Sequence, residues 1–160
     1  MNRRSLLSIA TATALALTAA AAAQAPDSYA TDLGRVYGGY QRVLAMKEAC
    51  DAAVPAARAA NDKAFAAWQA QHRSLIQDLQ RRVKAMILAA STDKDDYVRN
   101  IGKYEGEILL ERKDYRDTLL GLGTEELRDQ CRRMPEMLAG PGADLAQVYA
   151  AELATIRKRK

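Results

Sequence analysis

Apolar side chains recur at steps of three and four residues from about residue 32 to the end of this chain, with polar and charged residues between them. That period is the α-helical one, and no stretch of useful length shows the two-residue alternation of a strand. A first helix is predicted from Asp32 to Ala53, with Leu33, Val36, Tyr37, Tyr40, Val43, Leu44 and Cys50 on its apolar side. Gly38-Gly39 weakens it and is expected to kink or split it. Pro55 suits the first turn of a second helix, which the pattern carries to Ala90. Its stripe is Phe65, Trp68, His72, Leu75, Ile76, Leu79, Val83, Met86 and Ile87.

Ser91-Thr92-Asp93 is expected to close that helix and open the third. Thr92-X-X-Asp95 reads as a capping-box variant, followed by acids where the helix dipole favours them. The third helix is predicted to reach Leu120, with Tyr97, Ile101, Tyr104, Ile108, Tyr115 and Leu119 on one side. Thr124-Glu125-Glu126 is expected to cap a short fourth helix that carries Leu127 and Cys131, and Gly140-Pro141-Gly142 breaks the chain. A last helix starts at Ala143 or Asp144 and carries Leu145, Val148, Tyr149, Leu153 and Ile156. Each stripe covers one side only, so the helices need one another. The predicted fold is all-α: a small helical bundle built on a long antiparallel hairpin of the second and third helices.

The N-terminus does not share this pattern. Arg3 and Arg4 precede an uncharged stretch rich in Ala and Leu, and small residues follow it at Ala21-Ala22-Ala23. This is the layout of a secretory signal peptide, with cleavage expected after Ala23. Residues 1–23 are therefore assigned to the signal, 24–156 to the bundle and 157–160 to a basic tail. The whole chain has 24 Lys plus Arg against 20 Asp plus Glu. Removing Arg3 and Arg4 leaves 22 basic residues, and four of those are the tail. The bundle itself is slightly acidic, so a nucleic-acid partner is not expected.

Export places the two cysteines, Cys50 and Cys131, in an oxidising compartment, the periplasm or beyond it. An even pair there predicts one disulfide, and the spacing rules out a Cys-X-X-Cys redox motif.

The chemistry that remains is sparse. His72 is the only histidine, and no further ligand stands three or four residues away to complete a metal site. Haem or small-ligand carriage would need His72 with one of Met46, Met86, Met134 or Met137. Asp93 to Asp96 fails as a calcium loop, because positions six and twelve are Val98 and Tyr104 rather than Gly and Glu. Glu105, Glu107 and Glu111 are the carboxylates that would serve a glycoside hydrolase, such as one acting on cell wall. Nothing marks one of them out, so neither an enzyme nor a bound cofactor is expected. Gly34-X-X-X-Gly38 and Gly102-X-X-X-Gly106 have the spacing that lets helix backbones approach, and predict a close crossing of the first and third helices. Arg157, Lys158, Arg159 and Lys160 would meet an anionic lipid surface. The layout resembles small exported helical proteins such as the Spy-type chaperones, but their Leu-Thr-X-X-Gln motif is absent and no residue is carried over. The expected function is binding of another macromolecule, in a chaperone-like or an inhibitor-like manner.

Overall fold

The structure is a computed structural model and describes residues 28–159. The expected signal peptide and Lys160 lie outside the described residues. Among the described residues six helices follow one another: α1 (Ser28–Ala53), α2 (Arg58–Ala89), α3 (Lys94–Leu120), α4 (Thr124–Ala139), α5 (Leu145–Val148) and α6 (Ala150–Lys158). Short 3-10 turns at Pro55–Ala57 and Pro141–Ala143 join α1 to α2 and α4 to α5. The described residues contain no strand.

Six residues of the predicted α2 stripe are buried, Trp68, His72, Ile76, Leu79, Val83 and Ile87, with Asn61 two turns before Trp68. They meet α1 in two clusters. Leu33 and Val36 near the start of α1 share one with Leu79, Val83 and Ile87, and with Tyr97 and Ile101 from the start of α3. Ala49 and Cys50 near the end of α1 share the other with Trp68, Ile76 and Leu119. Hence α2 runs antiparallel to both α1 and α3, and α1 runs parallel to α3. The hairpin of α2 and α3 exists, but α3 packs mainly on α1, which lies across the mouth of that hairpin. α4 closes one end of the bundle with Leu127, Met134 and Leu138, and α6 closes the other with Leu153 and Ile156.

The disulfide is formed. Cys50 and Cys131 are joined with Cα atoms 5.3 Å apart, across a sequence separation of 81. It ties the end of α1 to the middle of α4.

Three local expectations are corrected. α1 is continuous from Ser28 through Gly38-Gly39. Gly39 is buried, and a Cβ built there would lie 2.5 Å from the Tyr149 ring, so tertiary packing offsets the helix-weakening of glycine. The cap of α3 is shifted by one residue. Asp93 accepts from the Asp96 N–H at 2.8 Å, and Asp96 reaches back to accept from the Thr92 N–H at 2.9 Å. Thr124 is not a cap: Gly123 holds that position in α4, and the helix runs on through Pro135 to Ala139.

The expected glycine crossing is also corrected. α1 and α3 do pack together, but a Cβ at Gly34, Gly38, Gly102 or Gly106 would meet nothing within 4 Å. The four glycines lie away from the line of closest approach, which half-buried Tyr37, Ile101, Tyr104 and Ile108 fill instead. Two opposite results follow. Gly102→Ala, on an exposed turn of α3, should raise stability by about 0.8–1 kcal/mol through helix propensity alone. Gly39→Ala should lower it by about 1–3 kcal/mol, because the Tyr149 ring must move. Thermal melts of the two variants check the pair, and a loss at Gly102 would restore the crossing.

Candidate functional site

Between the last third of α2 and the middle of α3 lies a cleft of about 430 Å³ floored by α1. Tyr37 and Gln41 rise from the floor one turn apart. Gln80, Val83 and Lys84 line the α2 side, and Ile101, Tyr104, Glu105, Ile108, Leu109 and Arg112 line the α3 side. The volume is within the range of small-molecule sites, roughly 300–1,000 Å³. Burial, assisted by Tyr37, Glu111 and Glu107, pushes the Tyr104 hydroxyl up to about 12. It therefore stays protonated at neutral pH. Arg112 is held by Glu48 on α1 at 3.4 Å.

Gln41 is the residue that periodicity did not mark. It is only 8% exposed, and its Oε1 has no hydrogen-bond partner among the described residues. Its one visible signal is a polar side chain four residues after Tyr37 and three before Leu44, on an otherwise apolar side, which reads equally well as a surface position.

α3 also carries five of the eight large apolar side chains exposed among the described residues, the others being Leu88, Met137 and Val148. Val98, Leu109 and Leu120 are 57%, 53% and 39% exposed, with Leu110 at 58% and Tyr115 at 39%. Only Leu119 of its 27 residues is buried.

His72 is buried and tilted against Trp68, with ring centroids 4.8 Å apart. Its Nε2 has no partner among the described residues. It lines a shallow depression with Asp78, Ala146, Leu153, Ile156 and Arg157, and no methionine is among the lining residues. Met134 is buried in the Trp68 cluster, Met46 leans on that cluster, Met86 leans on the other, and Met137 is exposed. Burial pushes the imidazole below its ordinary value, and the Asp144 carboxylate only partly opposes this. Burial also works against the Asp144 anion, yet N–H groups of Gln147 and Ala146 outweigh it and hold that carboxyl low.

A pH dependence follows from His72. Unfolded, the imidazole takes up its proton near pH 6.5, and folded, at a lower pH. Between the two the unfolded chain holds more protons, so stability falls as pH drops through about 6.5. Melting temperatures between about pH 8 and pH 5 should show this decline, and His72→Gln should flatten it. An identical slope in the variant would assign the decline elsewhere. The depressed aspartates Asp78, Asp96, Asp117 and Asp144 act in a separate window, losing their contribution as pH falls below about 4.

The other residues singled out by sequence do not converge. Glu105 lines the cleft, Glu107 faces Lys103 at 3.9 Å, and Glu111 lines a neighbouring groove with Gly34 and Gly38. Among the described residues no group of three His, Cys, Asp or Glu is placed to hold a metal ion. Arg157 and Lys158 form the last turn of α6. Arg159 folds back, with its guanidinium 4.9 Å from the Tyr29 ring centroid and its carbonyl accepting from Arg82 at 3.0 Å. No described helix is long and apolar enough to cross a membrane. The chain matches no protein-family model, no curated protein and no solved structure.

Proposed function

We propose that this chain is an exported, non-enzymatic protein that binds apolar segments of other proteins along the outer flank of α3, in a chaperone-like manner. The carrying observation is the line of Val98, Leu109 and Leu120. They are eleven residues apart, three helical turns each, and so share one side of the helix while remaining exposed. Isolated exposed leucines are ordinary, but an aligned set on one long helix favours an interaction surface. The face is long and open rather than a single deep socket, which favours tolerant binding over one tightly fitted enzyme partner. The N-terminal Arg-Arg and apolar pattern supports export, and the formed disulfide agrees with an oxidising compartment. Haem carriage by His72 has less support, because the methionines lie elsewhere.

The test is suppression of aggregation of a reduced, unfolding client such as insulin. The mature protein should suppress light scattering near equimolar ratio with little dependence on salt. Leu109→Ser with Leu120→Ser should remove most of that effect while melting as the parent does. No suppression, or suppression that the paired variant keeps, would overturn the reading.

A further inference from the structure

The cleft between α1, α2 and α3 carries an acceptor that the fold leaves unanswered. Gln41 Oε1 is buried on its floor without a donor among the described residues. Leaving a buried polar atom unmade costs about 1–3 kcal/mol, and a core of this kind would be more stable with an apolar side chain there. The surrounding wall is divided by chemistry. Val83, Ile101, Ile108 and Leu109 supply apolar surface above the amide. Lys84 stands at the α2 rim, exposed and without an ion-pair partner among the described residues. Arg112, the other cation of the cleft, is engaged by Glu48. An anionic group entering the cleft is therefore drawn to the Lys84 rim and repelled from Glu105 on the opposite wall.

From this arrangement we infer that the cleft is a binding site for a small amphipathic acid. Its apolar ring system lies between Val83 and Ile108, an N–H or O–H group donates to Gln41 Oε1, and its anionic group meets Lys84. The site adjoins the exposed flank of α3 and shares Leu109 with it, while Gln41 and Lys84 belong to the cleft and not to the flank.

Anilinonaphthalene sulfonate has all three parts: fused rings, one N–H donor and one sulfonate. Titrated into the mature protein, it should bind saturably at one equivalent with enhanced fluorescence. Gln41→Met removes the acceptor at nearly constant volume, and Lys84→Glu reverses the rim charge; each should weaken binding about tenfold. Gln41→Met should not lower the melting temperature, so weakened binding cannot be assigned to a failure to fold. In NMR spectra the Gln41 side-chain amide should shift on titration. The Leu109→Ser, Leu120→Ser pair trims one cleft wall, so the control for the α3 flank is Leu110→Ser, which should leave dye affinity unchanged. Unsaturable binding, or affinity that ignores both Gln41→Met and Lys84→Glu, would overturn the inference. Dye binding lost in Leu110→Ser but kept in Gln41→Met would also overturn it, by placing the dye on the α3 flank. Client suppression kept by Gln41→Met, with dye binding lost, would separate the two functions.

Discussion

Reduction of the Cys50–Cys131 bridge is expected to destabilise the folded chain by about 4–5 kcal/mol, from the loop-closure entropy returned to the unfolded state. The loop closed by the bridge has a sequence separation of 81 and contains all of α2 and α3. A domain of this size has only about 5–15 kcal/mol in total, so the bridge supplies a large fraction. The native side of the balance strengthens the case. Both cysteines are buried against Ala49, Leu127 and Met134, so separating the sulfurs also loosens well-packed neighbours. α3 cannot compensate, since it buries a single residue of its own. Melting followed by circular dichroism, with and without reductant, should show a drop of about 10–20 °C for a domain of this length. Cys50→Ala with Cys131→Ala should reproduce the reduced value and be insensitive to reductant. A drop of only about 2–3 °C would mean that the unfolded chain is already compact enough to hold those ends together.

The bridge is legible in the sequence because parity and compartment leave few alternatives for two cysteines. The α2 stripe was legible for a different reason. A helix as long as α2 repeats its period many times, and every buried residue from Trp68 to Ile87 falls on the predicted line. α3 shows the limit of that argument. Its periodicity is as regular, yet on the predicted side only Leu119 is buried and Tyr115 stays 39% exposed, while Val98, Leu109 and Leu120 lie outside that side. A hydrophobic pattern says which side of a helix is apolar, and not whether another element covers it. The glycines fail similarly. The spacing of Gly34 and Gly38 puts them on one side of α1, but the rotation of α1 turns Leu33, Val36 and Gly39 inward instead. That rotation is set partly by Tyr149, a contact distant in sequence that local reading does not reach. Gln41 escaped notice because burial of a polar side chain follows from the helices around it. The cleft it floors exists only because α1 lies across the mouth of the α2–α3 hairpin.

Trp68→Ala should be the most damaging single substitution, at about 3–5 kcal/mol for the cavity alone. Trp68 is the chain's only tryptophan and is 2% exposed. Its ring is stacked with Tyr40 from α1 at 6.3 Å and with Phe65 at 6.0 Å, and it touches the His72 ring. It also performs a second task that an apolar residue cannot. Its indole Nε1–H donates to the Ala143 carbonyl at 2.8 Å, which pins the Pro141–Ala143 turn leading into α5 and α6 to the side of α2. Trp68→Phe separates the two roles, because it keeps most of the apolar volume and drops the hydrogen bond, with an expected loss of about 1–2 kcal/mol. The loss should be uneven along the chain. Amides of Leu153 and Ile156 in α6 should exchange faster in Trp68→Phe, while those of Leu79 and Val83 in α2 hold near their parent rates. Hydrogen exchange read residue by residue checks this, since the variant has no tryptophan fluorescence to follow. Uniform acceleration across α2 and α6 would show that the indole acts only as core volume and that the turn is held by other contacts.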